Sequence, residues 1–420
     1  MIKFKSLSLK QLKVLTWWIP GKSPYADYSG IIADGSIRSG KTVSLSLSYV
    51  LWAMQTFDNQ IFAFCSKAVG VFRRNIWFEL KPTLVNRGFT IEEKHTENMI
   101  VIRKGRVTNV FYIFGGKDER SQDFIQGLTL AGALFDEVAL MPESFVNQAT
   151  ARCSVPGSKL WFNCNPEFPG HYIKKEWIDK AKEKKILHLN FKMDDNPSLT
   201  DERKHSYRTM YAGVFFQRFI EGEWVVAEGA IYRDAWSDDL LFSDDTAPAG
   251  LYDGGYVERS ISVDYGTSNP CTFGDFLDDG DVVWMRKEYY WDSRKEMRQK
   301  TDSEYADDLV AFIGPKEDAV VIIDPSAASF KAECRSRGIP VKDADNDVND
   351  GVRMTSTMFK RRKLRVNESC THTREEVPNY AWDKKAADRG EEKPIKENDH
   401  TPDMVRYFVK TKIKQFRLAA

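Results

Sequence analysis

Residues Gly35–Thr42 have the sequence GSIRSGKT and match the phosphate-binding loop pattern G-x-x-x-x-G-K-[ST] at each fixed position. The apolar run before the loop, residues 29–33, predicts a buried strand, and residues 43–54 predict a helix after it. A strand, a loop and a helix in this order are the context that the motif requires. The sequence therefore predicts a nucleotide site in an α/β domain.

The chemistry of the loop residues predicts their contacts with a nucleotide. Glycines let the backbone curve so that amide N–H groups point at phosphate oxygens. We expect Lys41 to reach the β- and γ-phosphates of ATP and the Thr42 hydroxyl to bind Mg²⁺. The residues expected to contact the nucleotide are Gly35, Ser36, Ile37, Arg38, Ser39, Gly40, Lys41 and Thr42.

A second motif lies about a hundred residues further on, where the apolar run 131–135 ends in Asp136 and Glu137. In a P-loop ATPase the first carboxylate holds Mg²⁺ through water, and the second orients and deprotonates the attacking water. The next strand, residues 159–163, ends in Asn163, which is either a sensor of the γ-phosphate or the cap of a turn before Pro166.

Two arginines are candidates for neutralising charge on the transferred phosphoryl group. Arg38 lies inside the loop, and Arg152 follows the helix after Glu137. Such an arginine acts either within its own chain or from a neighbouring subunit. For Arg152, an ordinary surface position is the alternative.

Three aspartates of the second half are predicted at the ends of two strands and the start of a helix. Asp264 and Asp324 end the apolar runs 259–264 and 319–323, and Asp403 lies in the first turn of a helix capped by Thr401. Each has a local alternative, as a strand-end cap or a complement to the helix dipole. Together they favour a two-metal phosphodiester site, with His400 as an outer-shell or proton-transfer group.

The whole sequence sets wider limits. It has 420 residues and a formal net charge of zero, so its composition announces no nucleic-acid or membrane partner. The 6 cysteines contain no C-x-x-C pair and indicate reduced thiols of a cytosolic protein. Residues 201–219 predict a helix, residues 222–226 predict a strand, and the turn-rich stretch 227–258 predicts a domain boundary.

The motifs GSIRSGKT, LFDE, FNCNP, VDYG, IIDP and NDHTPDMVRY, in this order, resemble those of the terminase large subunit of tailed bacteriophages. The resemblance implies an N-terminal P-loop ATPase of the additional-strand class with a mostly parallel sheet, at 1–192. It also implies a linker or lid subdomain at 193–230 and a C-terminal RNase H-like mixed α/β nuclease at 231–420. Functional roles are implied for Arg38, Lys41, Thr42, Asp136, Glu137, Asn163, Asp264, Asp324 and Asp403.

The resemblance also implies partners. These are double-stranded DNA, a small terminase subunit and the portal protein of the procapsid, without a membrane. The chain is expected as a ring when docked at the portal, with a free monomer allowed, in the host cytoplasm and transiently at the portal. The implied cofactors are ATP and Mg²⁺, with Mn²⁺ as an alternative at the nuclease site.

Two rival functions stay open on sequence alone. One is a helicase-like nucleic-acid translocase with a non-catalytic C-terminal binding module. The other is a capsid-associated assembly protein that uses nucleotide as a structural switch. A basic run, residues 360–363, either contacts DNA phosphates or is a solvated surface.

Overall fold

The computed structural model describes residues 6–267, 269–314, 319–389 and 391–413. The chain divides into two compact units. The first contains residues up to His205 together with Phe216–Val226, and the second contains Ser206–Phe215 and the residues from Ala227 onward. The stretch 193–230 is thus shared between both units, while the predicted boundaries at 192 and 230 stay predictions.

The first unit is built on an eight-stranded sheet with the order β3-β4-β5-β2-β6-β7-β1-β8. Its strands are β1 (Gly30–Gly35), β2 (Ile61–Ser66), β3 (Thr90–Lys94), β4 (Met99–Lys104), β5 (Val107–Gly115), β6 (Gly132–Phe135), β7 (Lys159–Asn163) and β8 (Ile186–Phe191). Six strands from β5 to β8 pair in parallel, and β3 and β4 add an antiparallel edge. An additional strand, β7, therefore lies between β1 and β6, as predicted.

Helices cover this sheet because most strand residues are apolar on both faces. The α-helices of this part are α1 (Leu9–Thr16), α2 (Lys41–Thr56), α3 (Val69–Phe72), α4 (Phe78–Val85) and α5 (Glu143–Ala151). Helix α2 packs its aromatic side chains on the sheet, where Tyr49, Trp52 and Trp161 have ring centroids 4.6–6.1 Å apart. Single turns of π-helix occur at Arg73–Trp77, Ile173–Ile178 and Gln217–Glu221.

The predicted helix 201–219 and strand 222–226 are the clearest errors of the sequence interpretation. Residues 201–219 form α6 (Asp201–Met210), α7 (Gly213–Phe216) and the start of the π-helical turn Gln217–Glu221. The interruption coincides with Gly213, whose φ of 52° is left-handed. Residues 222–226 have no regular secondary structure and join neither sheet in the described part of the chain.

The second unit has a seven-stranded mixed sheet with the order β14-β13-β10-β11-β12-β15-β9. Its strands are β9 (Leu241–Phe242), β10 (Glu258–Asp264), β11 (Cys271–Asp278), β12 (Val283–Trp291), β13 (Val320–Ile323), β14 (Val341–Asp343) and β15 (Leu364–Asn367). Strands β10, β11 and β12 form an antiparallel meander, and β13 and β14 extend it in parallel to β10. This is the RNase H-like arrangement that the resemblance implied.

Six helices surround this sheet in the described residues. They are α8 (Asp302–Ile313), α9 (Ala328–Ser336), α10 (Val348–Lys360), α11 (Thr371–Asn379), α12 (Lys384–Asp388) and α13 (His400–Lys412). Among the described residues, none of the helices is long and apolar enough to cross a membrane.

A charged contact joins α10 to α13. Asp350 on α10 accepts hydrogen bonds from Arg353 of the same helix and from Lys410 on α13. Burial alone would raise the pKa of Asp350, but the two cations outweigh it and lower the pKa from 3.8 to about 2.

We expect Asp350→Asn to destabilise the protein by about 2 kcal/mol at pH 7, since each unit of pKa shift corresponds to about 1.4 kcal/mol. A lowered pKa stabilises the fold above the unfolded value, so the difference from wild type should shrink as the pH falls from about 4 towards 2. Denaturant unfolding at several pH values measures this. A constant difference across that range, or an equal loss in the exposed control Glu375→Gln, would contradict the assignment.

Candidate active sites

The loop between β1 and α2 depends on glycine at two positions. Gly35 has φ 123° and Gly40 has φ 85°, both in the left-handed half of the backbone map. A Cβ atom on Gly35 would lie 2.0 Å from the carbonyl oxygen of Phe191 on β8. The same strand fixes the loop from the other side, because the Ser36 amide donates to that carbonyl over 2.8 Å. Only glycine fits at position 35.

Lys41 points back into the loop. Its buried ammonium donates to the carbonyl oxygens of Gly35 and Ser36 at 3.0 and 2.6 Å, and to Asn165 Oδ1 at 3.3 Å. Burial lowers its pKa to about 8, against the opposing effect of nearby acidic groups. Lys41 therefore keeps most of its positive charge at pH 7, inside the loop where a phosphate would need it.

Three polar side chains meet beside the loop. Asn163 donates to the Thr42 hydroxyl at 3.0 Å and to the Asp136 carboxylate, and Thr42 Oγ1 lies 3.4 Å from Asp136 Oδ1. The parallel order β6-β7-β1 brings the ends of these strands to one edge of the sheet. We call Lys41, Thr42, Asp136, Asn163 and Asn165 the P-loop cluster.

Asp136 is buried, and burial together with the neighbouring charge of Glu137 raises its pKa to about 7. Glu137 itself has φ 56° and ψ 46°, a left-handed conformation that is uncommon for a residue with a side chain. This turn leaves Glu137 partly exposed next to the P-loop cluster. A hydroxyl and a carboxylate are suitable Mg²⁺ ligands, and a second carboxylate beside them is suited to accept a proton.

The two candidate arginines lie in different places. Arg38 is exposed in the loop, where its carbonyl accepts a hydrogen bond from Asn196 at 2.7 Å. Arg152 ends α5, and its carbonyl accepts from the Leu130 amide at 2.8 Å, before β6 begins. Asp136 lies after β6, about six residues of extended chain or ~20 Å from Leu130. The structure therefore does not bring Arg152 to the P-loop cluster of its own chain.

Sequence reasoning missed two polar residues near the loop. Asn165 lies two residues after Asn163, and side chains two apart in an extended segment share a side, so the repeated Asn was an available signal. Asp34, just before Gly35, is 1% exposed and receives hydrogen bonds from His188, Asn190 and Trp224. Its partners are far away in sequence, so nothing local identified it.

The second unit gathers the four residues predicted there. Asp264 ends β10 and Asp324 follows β13, and these parallel neighbours end at the same edge of the sheet. Helix α13 packs on β10 and contributes His400 and Asp403. We call Asp264, Asp324, His400 and Asp403 the acidic edge.

Asp264 and His400 form a direct pair, with Nδ1 of the ring 3.1 Å from the carboxylate Oδ2. Burial raises the pKa of Asp264 to about 6, in spite of the hydrogen bond from His400. Burial would lower the pKa of His400, but the bond to Asp264 and nearby acidic charge reverse this and raise it. His400 is thus placed to orient Asp264 and to exchange a proton with it.

The buried carboxylate of Asp403 is held by cations. Its Oδ1 lies 3.0 Å from Arg406 Nη2 and accepts from the Tyr380 hydroxyl at 3.1 Å, and its Oδ2 lies 2.8 Å from Lys396 Nζ. Asp324 instead accepts from the Ser326 amide at 2.7 Å and from Asn346 at 3.4 Å.

The donor chemistry of the acidic edge fits a hard divalent cation, because carboxylate oxygens are its preferred ligands. Burial raises the pKa of Tyr407, and charge from Asp264, Asp403 and Asp324 raises it further, so all three carboxylates lie around this ring. Yet within the described ranges no group of three His, Cys, Asp or Glu side chains is arranged to hold a metal. Asp403 is turned towards Arg406 and Lys396 instead.

The basic run 360–363 makes contacts within its own unit. Lys360 donates to the Asp234 carbonyl at 3.1 Å, Arg362 Nε lies 2.6 Å from Asp239, and Lys363 pairs with Asp281. These contacts favour the solvated-surface interpretation over a DNA contact.

A P-loop cluster on an additional-strand parallel sheet, followed by an RNase H-like sheet with an acidic edge, defines an ATPase joined to a nuclease fold. The chain was then compared with known proteins. Residues 32–239 match the family model described as "Terminase large subunit, T4likevirus-type, N-terminal". The large terminase of a thermophilic bacteriophage, solved by itself, is 52% identical over 97% of this chain and 100% of that chain, with a TM-score of 0.91.

Two further comparisons agree. The same thermophilic phage terminase has also been solved in complex with ADP and with ATP-gamma-S, at 50% identity and a TM-score of 0.87. The large terminase subunit of Escherichia phage T5 is 24% identical over 315 residues, which span 69% of this chain and 65% of the T5 protein. This chain belongs to the terminase large subunit family, the viral DNA-packaging motor subunits with nuclease function.

Proposed function

We propose that this chain hydrolyses ATP at the P-loop cluster to drive double-stranded DNA into a procapsid, and cuts concatemeric DNA at the acidic edge. The observation that carries the ATPase part is the contact of Thr42, Asp136 and Asn163 beside the buried Lys41. The ADP and ATP-gamma-S complexes of the thermophilic phage terminase support ATP as the nucleotide.

The roles within the P-loop cluster follow from its contacts. Lys41 would exchange its bonds to loop carbonyls for the β- and γ-phosphates, and backbone amides of residues 35–42 would cradle the phosphates, apart from those of Ser36 and Ile37, which already donate to Phe191 and Phe219. Thr42 and Asp136 would hold the Mg²⁺ of MgATP, and Asn163 would sense the γ-phosphate through both of them. Glu137 would orient and deprotonate the attacking water.

For charge neutralisation we propose Arg38 within the chain and Arg152 from a neighbouring subunit. Arg38 is exposed in the loop itself. Arg152 lies away from the P-loop cluster of its own chain, which leaves only a role in another subunit. Both assignments concern a transition state whose negative charge a guanidinium stabilises.

At the acidic edge we propose that Asp264, Asp324 and Asp403 bind two Mg²⁺ or Mn²⁺ ions. Such ions, when bound, activate water and stabilise the leaving oxygen of a phosphodiester. His400 keeps Asp264 oriented through its 3.1 Å contact, and Asp403 must exchange Lys396 for the metal. The side chains of Arg406 and Tyr380 stay behind Asp403 and fix its position.

The proposed partners are those of a packaging motor: double-stranded DNA, the small terminase subunit and the portal protein. A homo-oligomeric ring at the portal, in the host cytoplasm, is the proposed working form. Family membership favours this motor over the helicase-like translocase and over the assembly switch.

We expect Lys41→Ala to abolish ATP hydrolysis, because it removes the charge that contacts the transferred phosphate. Glu137→Gln should still bind ATP-gamma-S but hydrolyse ATP ~10²–10⁴-fold more slowly, since it loses only the general base. Calorimetry and steady-state turnover separate the two. Near-normal turnover in Lys41→Ala, or lost binding by a folded Glu137→Gln, would overturn these roles.

Arg152→Ala should slow ATP hydrolysis mainly when the chain is assembled on portal-bearing procapsids. The reason is that the guanidinium acts on another subunit's nucleotide. ATPase rates with and without procapsids measure this, with Arg152→Lys to retain the charge. An equal loss in the free chain would point to a folding role.

Asp264→Asn, Asp324→Asn and Asp403→Asn should each abolish plasmid cutting and weaken Mn²⁺ binding in calorimetry, while ATP hydrolysis persists. Each substitution removes one negative oxygen pair from the metal ligands. His400→Ala should reduce cutting less, because it changes the orientation of Asp264 and not the ligand set. Unchanged Mn²⁺ affinity in all three variants, or cutting that resists a chelator, would refute the metal site.

A further inference from the structure

A short segment outside both sheets lies directly on the phosphate-binding loop. We call residues 216–226 the strap. The Ile37 amide of the loop donates to the Phe219 carbonyl of the strap at 2.8 Å. Gly222 has φ 66°, and a Cβ atom there would lie 2.7 Å from the Ser36 nitrogen and 2.9 Å from the Gly35 Cα. Strap and loop backbones therefore touch with no room for a side chain.

Side chains extend this contact behind the loop. Trp224 Nε1 donates to Asp34 Oδ2 at 2.6 Å, and Asn190 joins the strap to β1 by donating to the Gly222 carbonyl at 3.0 Å and to Asp34 at 3.3 Å. His188 adds a 2.8 Å contact to Asp34. Burial would raise the pKa of Asp34, but the contacts from His188 and Trp224 outweigh it and lower the pKa. Asp34 is thus a buried carboxylate, charged at neutral pH, whose direct partners include a strap residue.

The path of the chain gives this contact a second consequence. The residues just before the strap, Ser206–Phe215, and those just after it, from Ala227 onward, belong to the nuclease unit. The strap itself belongs to the ATPase unit, so it is covalently connected to the nuclease unit at both ends. Any change in the loop backbone at Ser36 or Ile37 must be accommodated by a segment tied in this way.

We propose that the strap holds the phosphate-binding loop in its working shape, with Gly222 and Trp224 as positioning residues for ATP hydrolysis. This inference rests on the proposed ATPase function. Gly222 sets the distance between strap and loop, and Trp224 fixes the strap to the carboxylate that precedes Gly35. Neither residue contacts the nucleotide; both act through the loop backbone.

The first test compares two glycines with similar backbones in the full-length chain. Gly222 has φ 66° and meets loop backbone, whereas Gly229 has φ 73° and meets only the flexible end of Arg233 at 3.5 Å. Both alanine variants carry the same left-handed strain, and only Gly222→Ala must displace the loop. We expect Gly222→Ala to weaken ATP-gamma-S binding at least ~10-fold and Gly229→Ala less than ~2-fold. Equal effects of the two would overturn the proposal.

The second test keeps the proposal falsifiable if Gly222→Ala does not fold. Trp224→Phe keeps an aromatic ring but loses the N–H that donates to Asp34. It should lower kcat at least several-fold at an unchanged melting temperature and speed hydrogen exchange at the Ile37 amide, with ATP-gamma-S restoring protection. The control is Trp291→Phe, which loses an N–H contact to the Arg298 carbonyl in the nuclease unit. Unaltered kcat and exchange in Trp224→Phe would refute the role.

The two proposals fail in different ways. If wild type does not hydrolyse ATP, or Lys41→Ala still does, the ATPase assignment itself is wrong. If wild type hydrolyses ATP and Lys41→Ala does not, but Gly222→Ala equals Gly229→Ala, only the strap proposal is wrong.

Discussion

Parallel pairing of neighbouring strands is the constraint on which both sites depend. In the ATPase unit, β6, β7 and β1 run in parallel, so Asp136, Asn163 and the loop after Gly35 reach the same edge of the sheet. In the nuclease unit, β10 and β13 run in parallel and bring Asp264 and Asp324 to one edge. Parallel strands are connected through crossovers of a dozen or more residues, so these side chains are far apart in sequence.

The sequence was sufficient wherever chemistry and local pattern coincide. The loop glycines, the carboxylates after residue 135 and the helix start at Thr401 are each visible within a few residues. Strand ends could be predicted because apolar runs stop at polar residues. Which strands pair could not be read from these runs, and the additional-strand order entered only through the resemblance to a known family.

The errors share one physical origin, which is contact between residues distant in sequence. The segment 222–226 has the composition of a strand, but it bonds to the side chains of Asn190 and Asp34 and not to a neighbouring strand. Asp34 looks like a strand-end residue until His188 and Trp224 are placed beside it. Arg152 follows a helix in sequence, yet its position near Leu130 separates it from the P-loop cluster.

The two sites manage buried negative charge in opposite ways. Asp136 receives hydrogen bonds from the neutral Asn163 and Thr42, so burial dominates and raises its pKa to about 7. Such a carboxylate gains most from a cation that arrives with the nucleotide, since MgATP supplies the missing positive charge. Asp403 instead already has Arg406 and Lys396 as partners. A metal at the acidic edge therefore competes with a lysine, whereas a metal at the P-loop cluster relieves a carboxylate that burial alone disfavours.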